Sequence, residues 1–156
     1  RIIGFIFLII SFYTIYKLRF DINHYWFLLL ITLICVSTDI GGYIFGKIFK
    51  GPKLTKFSPN KTYAGMIGGY LLSIIFAILF INFYLSDEIN IIWIIFITMV
   101  STISQLGDII VSYFKRLSNI KDTGKIIPGH GGLLDRLDGM IFAFPFSYLI
   151  SLIDVL

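Results

Sequence analysis

The sequence predicts an all-α, polytopic integral membrane protein of about five transmembrane helices, with two long basic loops facing the cytoplasm. Of its 156 residues, 57% are hydrophobic, and the mean hydropathy is +0.89. A soluble domain seldom exceeds about half apolar usage. The apolar residues also fall in long blocks. Each approaches the roughly 20 residues that cross a ~30 Å hydrocarbon core at ~1.5 Å per residue.

The first block covers residues 2–16 and is closed by Lys17, Arg19 and Asp21. An Arg before a short apolar run also opens a signal peptide, but no small-residue cleavage site follows Tyr13-Thr14-Ile15-Tyr16. The second block, residues 25–48, carries an acid, Asp39, followed by Gly41-Gly42. His24, just before it, reads as an interfacial residue. The third block covers residues 65–84 and is followed by the polar turn Ser86-Asp87-Glu88. The fourth spans residues 89–114. The fifth spans residues 138–156, with Pro145 as a kink that neighbouring helices must tolerate. Cys35 is the only cysteine, which excludes an internal disulfide or a cysteine metal site. It reads as a buried thiol within a span. The start at Arg1, without an initiator Met, suggests one membrane-embedded domain over residues 1–156, the C-terminal catalytic part of a longer chain.

One long loop contains Lys47, Lys50, Lys53, Lys56 and Lys61; the other contains Lys115, Arg116, Lys121, Lys125 and Arg136. In a five-span chain both loops lie on one side. The turn after the third block has two acids and no base, so the positive-inside bias puts the basic loops in the cytoplasm. Orientation and lipid-headgroup binding alone would explain the charge count. They would not explain the glycines and acids set among the bases.

The fourth block is too polar for a passive span. Thr98, Ser101, Thr102, Gln105, Asp108 and Ser112 recur at spacings of three and four and share one helix face. Thr98, Ser101 and Thr102 suit helix packing. Asp108 is costly inside a span unless it faces protein, water or a cation. The loop after it combines bases able to grip polyphosphate with a Gly-rich stretch whose N–H groups can approach phosphate. Asp135 and Asp138, at i and i+3, face one way. Paired acids beside phosphates suit a hard cation such as Mg²⁺. Together these features point to phosphoryl or nucleotidyl chemistry.

The run Ser112-x-x-Lys115-Arg116, Lys121-Asp122-x-Gly124, Pro128-x-His130-Gly131-Gly132-x-x-Asp135-Arg136-x-Asp138 resembles the signature of the phosphatidate cytidylyltransferase family. Upstream, Ser104-x-x-Gly107-Asp108, the loop from Ser58 to Gly65, and Asp39-x-Gly41-Gly42-Tyr43 with Gly46-Lys47 are similar to further family stretches. The chain departs from the family pattern at Ala64 (usually Glu), Asn60 (usually Lys), Lys47 (usually Arg) and Gly42 (usually Ala). Loss of the acid at residue 64 is the serious departure, and residue 64 is left out of the site.

The resemblance implies a nucleotidyltransferase of phospholipid biosynthesis, in the cell (inner) membrane, with its active site facing the cytoplasm. It would convert CTP and phosphatidic acid to CDP-diacylglycerol and diphosphate. The implied cofactor is Mg²⁺, as one ion or two, on Asp108 and Asp135. Asp138 is either a third ligand or a group orienting Arg136. His130 is a phosphate or metal-shell contact, a proton donor or a loop-packing residue. Ser58, Lys61, Thr62, Ser112, Lys115, Arg116, Lys121, Asp122, Lys125, Gly131 and Gly132 form the implied substrate-binding set. For Asp39, pairing with a loop Lys and a direct role stay open. The implied partners are CTP, phosphatidic acid and membrane lipids, with no nucleic acid and with a homodimer allowed. Rival readings are another lipid-phosphate enzyme, a catalytically impaired relative acting as a scaffold, and a transporter.

Overall fold

In the computed structural model the chain forms helices α1 (Ile2–Phe20), α2 (Tyr25–Phe49), α3 (Tyr63–Tyr84), α4 (Ile91–Leu117), α5 (Leu134–Leu137) and α6 (Met140–Ser151). The structure describes residues 2–20, 25–55, 58, 61–84, 89–120, 123–124, 132 and 134–153, excluding the side chains of residues 3 and 136. Among the described residues the β pairing is one isolated antiparallel bridge, Lys53 to Thr62. The all-α expectation holds.

Local chemistry sets the helix ends. Thr62 Oγ1 accepts the Gly65 N–H at 3.1 Å, so α3 begins at Tyr63, ahead of the apolar run. Asn90 caps α4 by accepting the N–H groups of Ile92 at 2.9 Å and Trp93 at 3.2 Å. Helix α2 stops where Lys50 (φ 51°) and Gly51 (φ 100°) turn left-handed, and Pro52 follows. Helix α1 runs past its predicted end to Phe20. Lys17 there lies over the Tyr13 ring, and Arg19 over those of Phe20 and Tyr25. Long basic side chains of this kind keep apolar stems on the helix while their charges reach the interface.

Helices α2, α3 and α4 are each long and apolar enough to cross a membrane. On α3, Leu71, Ile75, Leu79 and Phe83 form an exposed stripe at four-residue spacing, with Phe83 89% exposed. Lipid would solvate that stripe. The fifth block differs from expectation. It is not one helix over residues 138–156: a turn at Asp138–Gly139 separates α5 from α6, and α6 has 12 residues. That length rises about 18 Å. Residues 154–156 lie outside the described set.

The core joins Leu30, Ile31 and Ile34 of α2 to Ala77 and Ile81 of α3, Phe96, Ile97 and Val100 of α4, and Ala143 and Phe144 of α6. Cys35 is fully buried in it, as expected. The most extensive helix contact is α2 with α3, and glycine makes it possible. A Cβ on Gly65 would lie 2.6 Å from the Gly42 carbonyl oxygen, and one on Gly41 would collide with the Gly68 carbonyl. Small residues of this kind let membrane helices approach backbone to backbone.

Pro145 inside α6 has no N–H to give the Ile141 carbonyl four residues back. Ser11 of α1 supplies it: Ser11 Oγ, itself buried, lies 2.8 Å from Ile141 O. The carbonyl left without its helical donor by Pro145 is therefore served by a neighbour's hydroxyl.

Candidate functional site

The described parts of both basic loops lie at one end of the bundle, where α2 and α4 finish and α3 begins. The Lys53–Thr62 bridge, reinforced by Leu54 N–H to Lys61 O at 2.8 Å and Tyr63 N–H to Pro52 O at 3.2 Å, folds the first loop back over the helix ends. That brings Lys61 against α4, where it forms an ion pair with Asp108. Ser112 Oγ, one turn further along α4, donates to Asp108 Oδ1 at 3.4 Å.

A cavity of about 300 Å³ opens at this end. Asp39, Asp108, Asp135, Asp138, Lys61 and Thr62 form its charged and polar wall, with Thr38 and Gln105 beneath. Tyr43, Leu54, Met66 and Ile109 add apolar lining. A ligand-sized recess that joins convergent polar groups to apolar surface is the usual form of a binding site. The polar face of α4 continues below it. Ser101 Oγ lies 2.8 Å from Thr38 Oγ1 and accepts from Gln105 Nε2 at 3.4 Å. Thr98 and Thr102 bond back to carbonyls of their own helix, and Tyr70 OH reaches Thr102 at 3.0 Å. Ser101 and Thr102 thus join helices, in line with the packing role expected of them, whereas the Thr98 hydroxyl is bonded within α4.

Lys115, in the last turn of α4, lies 3.0 Å from Asp135 Oδ1 and 3.6 Å from Asp138 Oδ2. Asp135 Oδ2 accepts the backbone N–H groups of Thr123 and Gly132, both at 2.8 Å. One carboxylate thus ties the second loop to both α5 and α4. A Cβ on Gly132 would lie 2.6 Å from Thr123 Oγ1, so the tie needs glycine there. Burial works to raise the Asp135 carboxyl. The N–H bonds from Gly132 and Thr123, with the bond and charge of Lys115, outweigh it and hold the group at about 2. Asp138, in the turn before α6, is pushed above the usual carboxylate range by burial first and by the charge of Asp108 next, while Lys115 opposes.

Asp108, Asp135, Asp138, Lys61 and Thr62 meet on this cavity, and Lys115 touches two of its acids. Asp39 is on its wall, and Gly132 serves it through a backbone N–H. Ser58 instead organises its own loop, accepting Lys61 N–H at 3.1 Å through its carbonyl. Arg116 is exposed on the outer side of the last turn of α4. Lys121, Asp122, Lys125, His130 and Gly131 lie outside the described residues, as does the side chain of Arg136. Sequence reasoning missed Tyr43, Leu54, Met66 and Ile109 as lining. Only the position of Tyr43 within the Asp39–Tyr43 stretch could have pointed to one of them.

Among the described residues no three acidic, His or Cys side chains converge at metal-ligand spacing. The donor set nevertheless fits a small hard cation. Mg²⁺ keeps several waters and takes only one or two carboxylates. Asp108 and Asp138 both line the cavity, and the charge of Asp108 is felt at Asp138. Asp135 Oδ1 keeps a lone pair beside Lys115.

Residues 1–153 match the family model described as "Cytidylyltransferase family". The chain is 42% identical over 138 residues to "Phosphatidate cytidylyltransferase" of Staphylococcus haemolyticus, covering 87% of this chain and 52% of that protein. It is 39% identical over 160 residues to the protein of the same name from Rickettsia conorii, covering 97% and 69%. For Rickettsia felis the figures are 42% over 137 residues, covering 82% and 60%. The chain thus spans between about half and about two thirds of the length of these relatives.

Proposed function

The chain belongs to the cytidylyltransferase family, and from that premise we propose that it catalyses CDP-diacylglycerol formation from CTP and phosphatidic acid, at a site open to the cytoplasm. The observation that carries this reading is the single cavity on which Lys61, Asp108, Asp135 and Asp138 meet, with Lys115 bridging two of the acids. Lys61 stands among carboxylates there, with apolar lining beside them, at the end of helices long enough to span a bilayer. A lipid phosphate and a nucleotide triphosphate would both find partners in that arrangement.

The nucleophile would be an oxygen of the lipid phosphate monoester, already an anion near neutral pH because its second pKa is about 6. It forms a bond to the α-phosphorus of CTP as the bond from that phosphorus to the bridging oxygen breaks, and diphosphate leaves with the electron pair. No Ser or Cys nucleophile is required. The protein aligns two anions and offsets their repulsion. Lys61 and Lys115 would contact phosphate oxygens. Asp135 holds the glycine-containing loop, through Thr123 and Gly132, against the cavity. Tyr43, Leu54, Met66 and Ile109 would receive the apolar part of the lipid. Mg²⁺ held by Asp108 and one of Asp135 or Asp138, with waters completing its shell, would supply the remaining positive charge.

Diphosphate release from the full-length protein, measured with CTP and phosphatidate together and with each alone, tests the reading. Release requiring both is expected, and Asp108→Asn should abolish it. Release with either substrate alone, or from CDP-lipid and an alcohol, would refute it.

A further inference from the structure

The carboxylates that would hold a divalent cation and the ammonium groups that would hold a polyphosphate are paired with each other. Lys61 sits on Asp108, and Lys115 on Asp135 and Asp138. An ammonium carries three donors but one charge. It cannot give its full counter-charge to a carboxylate and a phosphate at once. The two lysines are also mounted differently. Lys115 is on α4, its side chain 14% exposed and held between two acids. Lys61 stands on a loop whose backbone is held by the Lys53–Thr62 bridge and the hydrogen bonds around it, its side chain 25% exposed. Its long, rotamer-rich stem lets the ammonium group move while the backbone stays in place.

We propose that Lys61 is a positioning residue that holds Asp108 as its counter-ion until a polyphosphate takes over its ammonium group, so that polyphosphate and divalent cation bind with positive coupling and the bare cation binds weakly. This rests on the reading of the cavity as a nucleotidyl-transfer site. The coupling is reciprocal: the factor by which the cation tightens nucleotide binding equals the factor by which nucleotide tightens cation binding. Such factors commonly fall at about 5–150-fold. The consequence for the enzyme is order. A cation arriving alone meets a carboxylate already neutralised, whereas a cation arriving with a triphosphate finds Asp108 released.

Mn²⁺ binding to the full-length protein in detergent, followed by electron paramagnetic resonance without nucleotide, tests this without turnover. Lys61→Gln should tighten Mn²⁺ binding about 10-fold over the wild type, and adding Asp108→Asn to it should abolish the gain. Lys61→Arg, which keeps the charge, should bind Mn²⁺ like the wild type. In equilibrium dialysis with labelled CTP, corrected for the Mn²⁺–CTP complex, Lys61→Gln should lose most of the wild-type coupling. A Lys61→Gln affinity within twofold of the wild type overturns the proposal. So does a gain that survives Asp108→Asn, or an equal gain in Lys61→Arg. Failure of the wild type to bind CTP would instead overturn the nucleotidyl-transfer reading, which the Mn²⁺ comparison does not use.

Discussion

Replacing Ser11 by Ala removes one hydroxyl that does not line the cavity, and it should still destabilise the bundle measurably. The Ile141 carbonyl has lost its helical donor to Pro145 and is served by Ser11 Oγ at 2.8 Å, in a buried contact between α1 and α6. A carbonyl left unpaired in a buried site costs about 1–3 kcal/mol. Interhelical bonds measured inside membranes average about 0.6 kcal/mol and reach about 1.7. Ser11 Oγ also lies 2.9 Å from Phe7 O, and its one proton serves one carbonyl at a time. The expected cost is therefore about 1 kcal/mol, equivalent to about 2–4 °C in midpoint for a chain of this size. Cys35, fully buried and the only thiol, provides the assay: a maleimide dye that fluoresces on reaction reports the temperature at which the core opens. The double mutant decides the cause. With Pro145→Ala the residue at 145 regains an N–H for Ile141, so Ser11→Ala should cost markedly less in that background. An equal cost in both backgrounds would show that the Ser11–Ile141 bond does not replace the one lost to proline.

Gly65→Ala should lower the thermal midpoint much more than Ser11→Ala and abolish activity, since its methyl would meet the Gly42 carbonyl at 2.6 Å; a wild-type melt would show that the helices can separate at no cost. Asp135→Asn should be inactive yet inserted, and its stability deficit should depend on pH. The folded carboxyl sits at about 2, below its unfolded value near 3.9, so the wild-type advantage is complete above about pH 4 and fades as pH falls toward 2. The size of that advantage is about 2 kcal/mol at ~1.4 kcal/mol per pH unit; a wild-type minus mutant difference flat from pH 5 to 2 would contradict it. In a Cys35→Ser background, single cysteines at Asn60 and Asn119 should react with an impermeant maleimide only after cells are permeabilised, whereas one at Asp87 should react in intact cells. Labelling of residues 60 and 119 from opposite sides would divide the site across the bilayer.

The helices and the acids of the cavity were legible because both follow from periodicity. Blocks of apolar residues announced α2, α3 and α4, and spacings of three and four put Ser101, Gln105, Asp108 and Ser112 on one face of α4. Asp135 and Asp138 both reach the cavity and Lys115, although Asp138 stands in the turn after α5 and not on the one helix that the i, i+3 reading assumed. Hydropathy could not show that the last block breaks at Asp138–Gly139, because an unwound turn between apolar residues leaves the average unchanged. Nor could it show what Asp135 holds. Its partners Thr123 and Gly132 are backbone donors, which any residue but proline supplies. The Lys61–Asp108 pair depends on the Lys53–Thr62 bridge, a tertiary contact between residues with no shared pattern. Gly41, Gly42 and Gly65 were read for their place in a motif, while their bulk, or lack of it, sets the distance between two helices.

That distance has a mechanical consequence. Where α2 and α3 touch through Gly41, Gly42 and Gly65, main chain meets main chain, and those contacts have no side-chain rotamers to exchange, while the Phe45 ring packs on Gly68 nearby. A contact without rotamers has no second arrangement to snap into, so the pair behaves as one stiff beam. Asp39 and Tyr43 ride on its α2 half, and Thr62 and Met66 on or beside its α3 half. That side of the cavity is a fixed jaw. The opposing acids stand on α4 and on the short α5–α6 turn, joined to each other through a lysine side chain and two loop amides. Any widening or narrowing of the cavity falls to that second jaw, where the joints are hydrogen bonds that can be broken and remade.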